Sequence, residues 1–593
     1  MIVNNKEQYK EVIEKLKLES IIAMDTETQE FSKERTHAFE LALDGVGVYS
    51  PSIKAYIPVK FLDKTFQEVL DKPEIIFHNF KFDGVIIQKQ GYDISKIKYH
   101  DTMIMSWLLN ENRFSHGLKN LAESVLKVKK DKIISFKDVN KRPVLEEYGL
   151  FPDDFKKDTK IWLKNLGMYC IDDCKYTYKL FQKFKPKMEK EDLWAVYEKV
   201  EMPIVKLLID MEVGGIKLDL KYLRKIGDEI NQDVIELQAG IWTETGREFD
   251  INSPKQLAEV LFKGRKLKLP DEYRTPTGAY STNVKSLKYL EHTYPDDKLV
   301  GSLLKYRELF KLSSTYIKGL FERNKDGVIY ASFKQHGTQT GRFSSSNPNL
   351  QQLPRRNDKY DIRKAFVARE GYTFVICDLS QIELRVMAYL SKDPIMVNAF
   401  QTGKDIHQET ADLVGCDRTA AKTLNFAICY GSSAYSIAKT LGISKQQADQ
   451  FLKNYFAKFK KLTILVVQAK NTLKKHYAIR TLFKRKRRFP KYAQARKEKD
   501  WKLISHIERQ SVNSIVQGSA ADLIKLQMRE LHKELPKYDA HMRVQIHDEV
   551  IVECPKENAE KVLEVVKHTM EHAIELPGVP LVAEGFISDY WKK

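Results

Sequence analysis

The run V-I-C-D-L-S-Q-I-E-L-R-V-M-A-Y-L, Val375 to Leu390, decides how the chain is read. Phe374 to Cys377 are continuously apolar, the pattern of a buried strand, and deliver a carboxylate, Asp378, at the strand's end. After Asp378 the apolar period becomes helical, with Ile382, Val386 and Leu390 on one stripe. A carboxylate at the tip of a buried strand is fixed rigidly enough to hold a divalent cation. A second acid, Glu383, stands at the start of the helix. Downstream, V-Q-I-H-D-E-V-I-V-E, residues 544–553, sets Asp548 and Glu549 between two apolar runs, which predicts a hairpin with acids at its tip. Brought together, the two tips would make a two-metal site for in-line displacement at phosphorus. Between them, in R-T-A-A-K-T-L-N-F-A-I-C-Y-G, Arg418, Lys422, Phe426 and Tyr430 recur every fourth residue and share one helix face. Two cations, an aromatic ring and a tyrosine on one face suit a triphosphate and a stacked base. Singly these motifs are commonplace: a solvated helix start, a turn, a surface pair. Together and in this order they are not.

At 593 residues the chain exceeds one core, so several domains are expected. Apolar content of 42% and charged content of 30% are ordinary for a globular protein. A formal charge of +19 points to a polyanionic partner. Six cysteines without framework spacing predict a reducing compartment and no structural disulfides. Cys170 and Cys174 lie one helical turn apart, but no second pair suggests zinc. No stretch approaches the roughly 20 apolar residues of a membrane span. The opening M-I-V-N-N-K-E-Q-Y-K runs into an amphipathic helix without a signal-peptide core, so a cytoplasmic location is expected.

In the amino-terminal third, the strand Ile21 to Met24 ends in D-T-E-T, whose Asp25 and Glu27 alternate toward one side of an extended chain. H-N-F-K-F-D follows a second apolar run and ends on Asp83. Y-C-I-D-D-C-K-Y-T-Y-K-L puts Tyr169 and Asp173 at i and i+4 of a helix. Such acids can surround a pair of magnesium ions for water attack on a phosphodiester, with Tyr169 positioning the water. Asp172, beside Asp173, leaves the identity of the last ligand open, and the tyrosine spacing favours Asp173.

These motifs resemble family A DNA polymerases. D-L-S-Q-I-E-L-R resembles their first signature, the Arg418–Gly431 run their second and Q-I-H-D-E-V their third. The D-x-E, D, Y-x-x-x-D series, with D-T-M-I-M-S-W-L-L-N and H-G-L-K-N-L-A-E, resembles their proofreading 3′→5′ exonuclease domain. The resemblance implies an α/β multidomain chain: an RNase H-like exonuclease domain over 1–190, then a right-hand polymerase domain over 191–593. The thumb would span about 200–325, the palm about 326–390 and 500–593, and the fingers about 391–499. It implies two Mg2+ ions per site (Mn2+ can substitute), primer–template DNA and deoxynucleoside triphosphates as substrates, and a monomer, with a helicase or other replisome proteins as candidate partners. The chain resembles a large fragment lacking the 5′-nuclease domain, and its compactness leans toward a phage enzyme.

By the same resemblance, Asp378 and Asp548 bind metal with Glu549 in support, and Asp25, Glu27, Asp83 and Asp173 bind metal at the second site. Arg418, Lys422 and His407 hold the phosphates, and Lys422 protonates the leaving pyrophosphate. Phe426 and Tyr430 flank the nucleotide. Glu383 crowds the 2′ position as a steric gate, a reading preferred over metal ligation. Arg342, in T-Q-T-G-R-F-S-S-S-N-P-N-L-Q-Q-L-P-R-R (338–356), would test pair geometry in the minor groove. Arg509, Asn513 and Gln517, at i, i+4 and i+8, and His547 would also touch DNA. K-R-K-R-R, 484–488, reads as a phosphate-backbone contact and Phe181–Asp192 as a charged connector between domains. Ser253 and Pro254 predict a capped helix start in the thumb. Three residues depart from the family pattern: Leu379 for an aromatic, and Ala427 and Lys484 for glycines. The last puts its turn in doubt.

Overall fold

The computed structural model describes residues 1–29, 38–133, 152–354 and 359–592; Arg355 and Arg356 of the 338–356 run lie outside them. The chain forms two compact units. One comprises 1–214, 333–345 and 375–587, the other 215–332, 346–374 and 588–593.

The first unit begins with a five-stranded mixed sheet of order β3-β2-β1-β4-β5. Its strands are β1 (Ile21–Gln29), β2 (Ala42–Tyr49), β3 (Lys54–Pro58), β4 (Glu74–Phe77) and β5 (Tyr99–Asp101). β1 runs antiparallel to β2 and parallel to β4, so the central strand carries D-T-E-T into the middle of the sheet. A bulge between Glu27 and Thr28 breaks the pleat immediately after the second acid. The helix Pro152–Lys190 packs across β1, β2 and β3. Phe181, Phe184 and Met188, in the stretch read as a connector, are buried in the sheet's core cluster. Residues 181–190 of that stretch are therefore the end of the helix Pro152–Lys190. Its lysines had masked an apolar stripe at helical spacing, which makes the connector reading wrong.

Further along, a four-stranded sheet runs His541–Ile546, Glu549–Pro555, Tyr372–Leu379, Ala583–Ser588 in spatial order. The strand expected at Phe374–Cys377 is thus the buried core of Tyr372–Leu379, and the helix after it runs Ile382–Ser391. The helix Trp501–Glu534 packs against that helix and against Arg418–Cys429. Gly431, just past the latter, has φ +65°, and a Cβ there would meet the Arg509 carbonyl oxygen at 2.6 Å. Only glycine lets the two backbones approach so closely.

The second unit pairs the helix Leu220–Thr245 with Lys298–Lys311 and holds a short antiparallel sheet of Phe366–Val367, Ile216–Leu218 and Val328–Ile329. Ser253 caps the helix that Pro254 begins.

Among the described residues, no helix is long and apolar enough to cross a membrane.

Candidate active sites

The hairpin predicted at 544–553 is present: Ile546 pairs with Glu549, leaving His547 and Asp548 as a two-residue turn. His547, the first central residue, takes φ +54°, the positive φ that two-residue hairpin turns require there. The Leu379 amide donates to the Asp548 carbonyl at 3.2 Å, which brings the Asp378 strand end beside the hairpin tip. Glu549 is buried at 2% exposure. Glu383 is buried in the first turn of the Ile382–Ser391 helix and pairs with the Arg342 guanidinium. Two residues expected to act on different parts of a nucleic acid thus hold each other. Burial pushes the Glu383 carboxyl up, against the opposing pull of Arg342.

Asp417 caps the Arg418–Cys429 helix through the Ala420 amide at 2.9 Å. Lys422, Phe426 and Tyr430 line one cleft of about 450 Å³, with Thr419, Ala427 and Ile437. Phe426 and Tyr430 stack at 6.0 Å with 13° between their planes. Arg418 is not in that lining, and its Nε donates to Asp405 Oδ2 at 2.6 Å. His407 is buried at 2% exposure, with Nδ1 3.0 Å from Asn425 Nδ2 and its ring 5.7 Å from Phe426. On the long helix, Arg509, Asn513 and Gln517 stay half-buried while Val512, Ser514 and Val516 between them are buried.

The basic run reads differently in three dimensions. Arg485 is buried, its Nε donating to Asp522 at 2.8 Å and its guanidinium also paired with Glu201. Lys525 reaches Glu201 at 2.7 Å. Arg487 and Arg488 bind Glu111 at 3.1 and 2.9 Å, and Lys486 and Arg488 bind Glu191. Trp107 lies under both Arg485 and Lys525, 5.0 and 5.4 Å from its ring centre. The phosphate-contact reading fails for these four residues because acids from distant segments, invisible to local spacing, neutralise them. Lys484 takes φ +74°, so the turn keeps a glycine-like conformation despite the side chain.

At the amino-terminal sheet, Asp25 and Glu27 on β1 and Asp83 and Asp173 on neighbouring helices form one interacting group, buried except for the partly exposed Asp25. Asp83 Oδ1 accepts from the Thr26 amide at 2.9 Å and its hydroxyl at 2.7 Å. Tyr169 hydrogen-bonds Asp173, which also pairs with Lys119, and the Lys119 ammonium lies 4.0 Å from the Tyr169 ring centre. Burial first, and the neighbouring carboxylates next, push Asp25 well above the usual carboxylate range. Burial raises Glu27 to about 8, Asp83 to about 7 and Asp173 to about 6. Four acids raised together mark a pocket whose charged form needs a cation, and the donor set fits hard divalent ions. Cys170 joins them: its Sγ lies 3.7 Å from Asp25 Oδ2. Among the described residues, Asp25, Glu27 and Cys170 are the one group of three or more whose metal-donor atoms lie within 4.8 Å of one another.

Sequence reading did not name Lys119 or Thr26 as site residues, and it set Cys170 aside as a zinc ligand for want of a second cysteine pair. Thr26 sits between two named acids, and Cys170 follows Tyr169, so adjacency could have flagged both. Lys119 lies 54 residues from Asp173, and no local signal links them.

Comparison with known proteins bears on both halves. A 3′-5′ exonuclease family model matches residues 1–189, and the DNA polymerase family A model matches 220–593. The chain belongs to DNA polymerase family A, with an exonuclease domain followed by the polymerase domain. DNA polymerase I of Borreliella burgdorferi is 33% identical over 98% of this chain, and that of Chloroflexus aurantiacus 33% over 95%. The thermostable DNA polymerase I of Thermus aquaticus is 39% identical over 70%. The chain spans 63%, 61% and 50% of those relatives' lengths. A solved structure described as the POL domain of Pol1 from M. smegmatis, in complex with DNA primer–template and dNTP, superposes with a TM-score of 0.86. At 24% identity, and covering 100% of this chain and 99% of that one, it shows the shared fold.

Proposed function

We propose that the chain copies a DNA template from deoxynucleoside triphosphates and hydrolyses mispaired primer ends. The observation that carries this reading is the Leu379–Asp548 hydrogen bond, which brings together two acid-bearing strand tips distant in sequence. Asp378 and Asp548, with Glu549 in support, would hold two Mg2+ ions. Those ions supply charge neutralisation at the α-phosphate and a more acidic primer 3′-hydroxyl. Lys422, Phe426 and Tyr430 bind the incoming nucleotide in their shared cleft, and Lys422 gives its proton to the leaving pyrophosphate. Arg418, released from Asp405, and His407 contact its phosphates. Glu383 crowds the 2′ position and excludes ribonucleotides. Arg342, Arg509, Asn513, Gln517 and His547 contact the primer–template.

At the second site Asp25, Glu27, Asp83 and Asp173 would hold divalent ions of the same kind, and Tyr169 orients the attacking water. The thumb, palm and fingers follow the boundaries read from the sequence, and the protein works as a monomer in the cytoplasm.

The test offers each deoxynucleotide singly, with Mg2+, on four templates differing at the first unpaired base. Extension only by the complementary nucleotide is expected. Addition regardless of template, or none at all, overturns the reading.

A further inference from the structure

The loop that carries Arg342 is held by residues of the exonuclease domain. Residues 335–343 form no helix or strand, so their course depends on bonds to other segments. Trp107, in the exonuclease helix Thr102–Leu109, donates its indole N–H to the Thr338 carbonyl at 3.1 Å. The Thr338 hydroxyl donates to the Arg342 carbonyl at 2.7 Å, which ties Arg342 to the anchored residue. A second grip lies beside the first. Gln339 Nε2 donates to Asn112 Oδ1 at 3.2 Å, and Arg487 donates to Gln339 Oε1 at 2.6 Å and to Asn112 Oδ1 at 2.7 Å.

The anchor itself is fixed. Trp107 is 2% exposed, with the Arg485 and Lys525 cations against its ring. Those same cations pack on both neighbours of Arg342. Lys525 stands 4.9 Å from the ring centre of Phe343, and a Cβ on Gly341, whose φ is +91°, would meet Arg485 Nε at 2.8 Å. These contacts hold the backbone of Arg342, while its guanidinium pairs with Glu383. The side chain can exchange Glu383 for a base pair without the loop moving.

We propose that Trp107 and Asn112, although they belong to the exonuclease domain, are positioning residues for DNA synthesis: they hold the Arg342 loop so that its guanidinium meets the last base pair of the primer. The proposal rests on the reading of Arg342 as a minor-groove probe. Acceptors in that groove occupy like positions in every correct pair. A misplaced donor therefore loses its bond to a correct end, whereas a mispaired end has little to lose. Discrimination, and not only rate, then depends on residues of the other domain.

The test measures single-nucleotide extension from matched and mismatched primers by the full chain in Mg2+, in an Asp25→Asn background so that mismatched ends are not removed. Trp107→Phe keeps a ring against Arg485 and Lys525 and removes the N–H. Its kcat/KM on matched ends is expected to fall about fivefold to tenfold, the scale of one lost hydrogen bond, and on mismatched ends by less than about twofold. Asn112→Ala, at a half-buried position, should lower the matched-to-mismatched ratio in the same direction, and it decides the matter if the tryptophan variant does not fold. Arg342→Ala should lower the ratio further, and adding Trp107→Phe to it should change nothing more. Equal losses on both ends, a Trp107→Phe effect undiminished beside Arg342→Ala, or a ratio that only Arg342→Ala lowers, overturns the proposal. A ratio unchanged in Arg342→Ala overturns the reading of Arg342, and a parent that extends neither end overturns the polymerase reading; the proposal falls with either.

Discussion

Two groups of buried acids in the same unit have opposite fates. Glu201 and Asp522 are fully buried, and the chain supplies their cations: Arg485 touches both and Lys525 touches Glu201. Burial would raise both carboxyls: Lys525 and Arg485 hold Glu201 below its usual value, whereas Asp522 stays raised by burial against the pull of Arg485. Glu27, Asp83 and Asp173 are buried and Asp25 partly so, and the chain brings them Lys119, paired with Asp173. Their carboxyls all rise. The first group draws its positive charge from within the chain, whereas the second has, among the described residues, one lysine for its four acids.

Asp25→Asn breaks the comparison most visibly. Primer shortening should fall at least about a thousandfold, the scale of several kcal/mol of lost charge stabilisation. In a chelator the same variant should be more stable than the parent by about 1 kcal/mol, since one buried repulsion is gone. Glu201→Gln should do the reverse, costing about 3–5 kcal/mol in denaturant midpoints by stranding Arg485 and Lys525. Equal destabilisation by both substitutions would erase the distinction.

A third enclosed group sharpens it. Burial lowers His78 to about 3 and His116 and His336 to about 4. These rings stay neutral when folded but take up protons near pH 6.5 when unfolded. Their contribution is present above pH 6.5 and is lost as pH falls toward the folded values. His78→Asn should flatten the decline in unfolding free energy between pH 7 and 5 by about 2 kcal/mol. An unchanged slope would mean the ring is not held neutral. The smallest effect belongs to the turn that positions Arg485: Lys484→Gly should raise stability by about 0.5–1 kcal/mol in thermal unfolding, relieving a left-handed lysine.

Local pattern carried much of this architecture. Asp378 at a strand tip, the helix from Ile382 and the hairpin over 544–553 were legible because period and turn chemistry are local. The basic run misled for the opposite reason. Its partners Glu111, Glu191, Glu201 and Asp522 lie tens to hundreds of residues away, and no spacing rule reaches them. The supposed connector failed because lysines on one face hid Phe181, Phe184 and Met188 on the other. Cys170 was set aside for want of a second cysteine pair, whereas the groups beside it, Asp25 and Glu27, come from β1, far away in sequence.

A labelled primer on a template, in Mg2+ with and without deoxynucleotides, tests for the parent, Asp378→Ala and Asp25→Ala whether one chain holds two separate cation-dependent sites. The parent should extend with nucleotides and shorten without them. Asp378→Ala should only shorten, and Asp25→Ala should only extend. Loss of both activities from either single substitution, or a parent that only shortens, would contradict it.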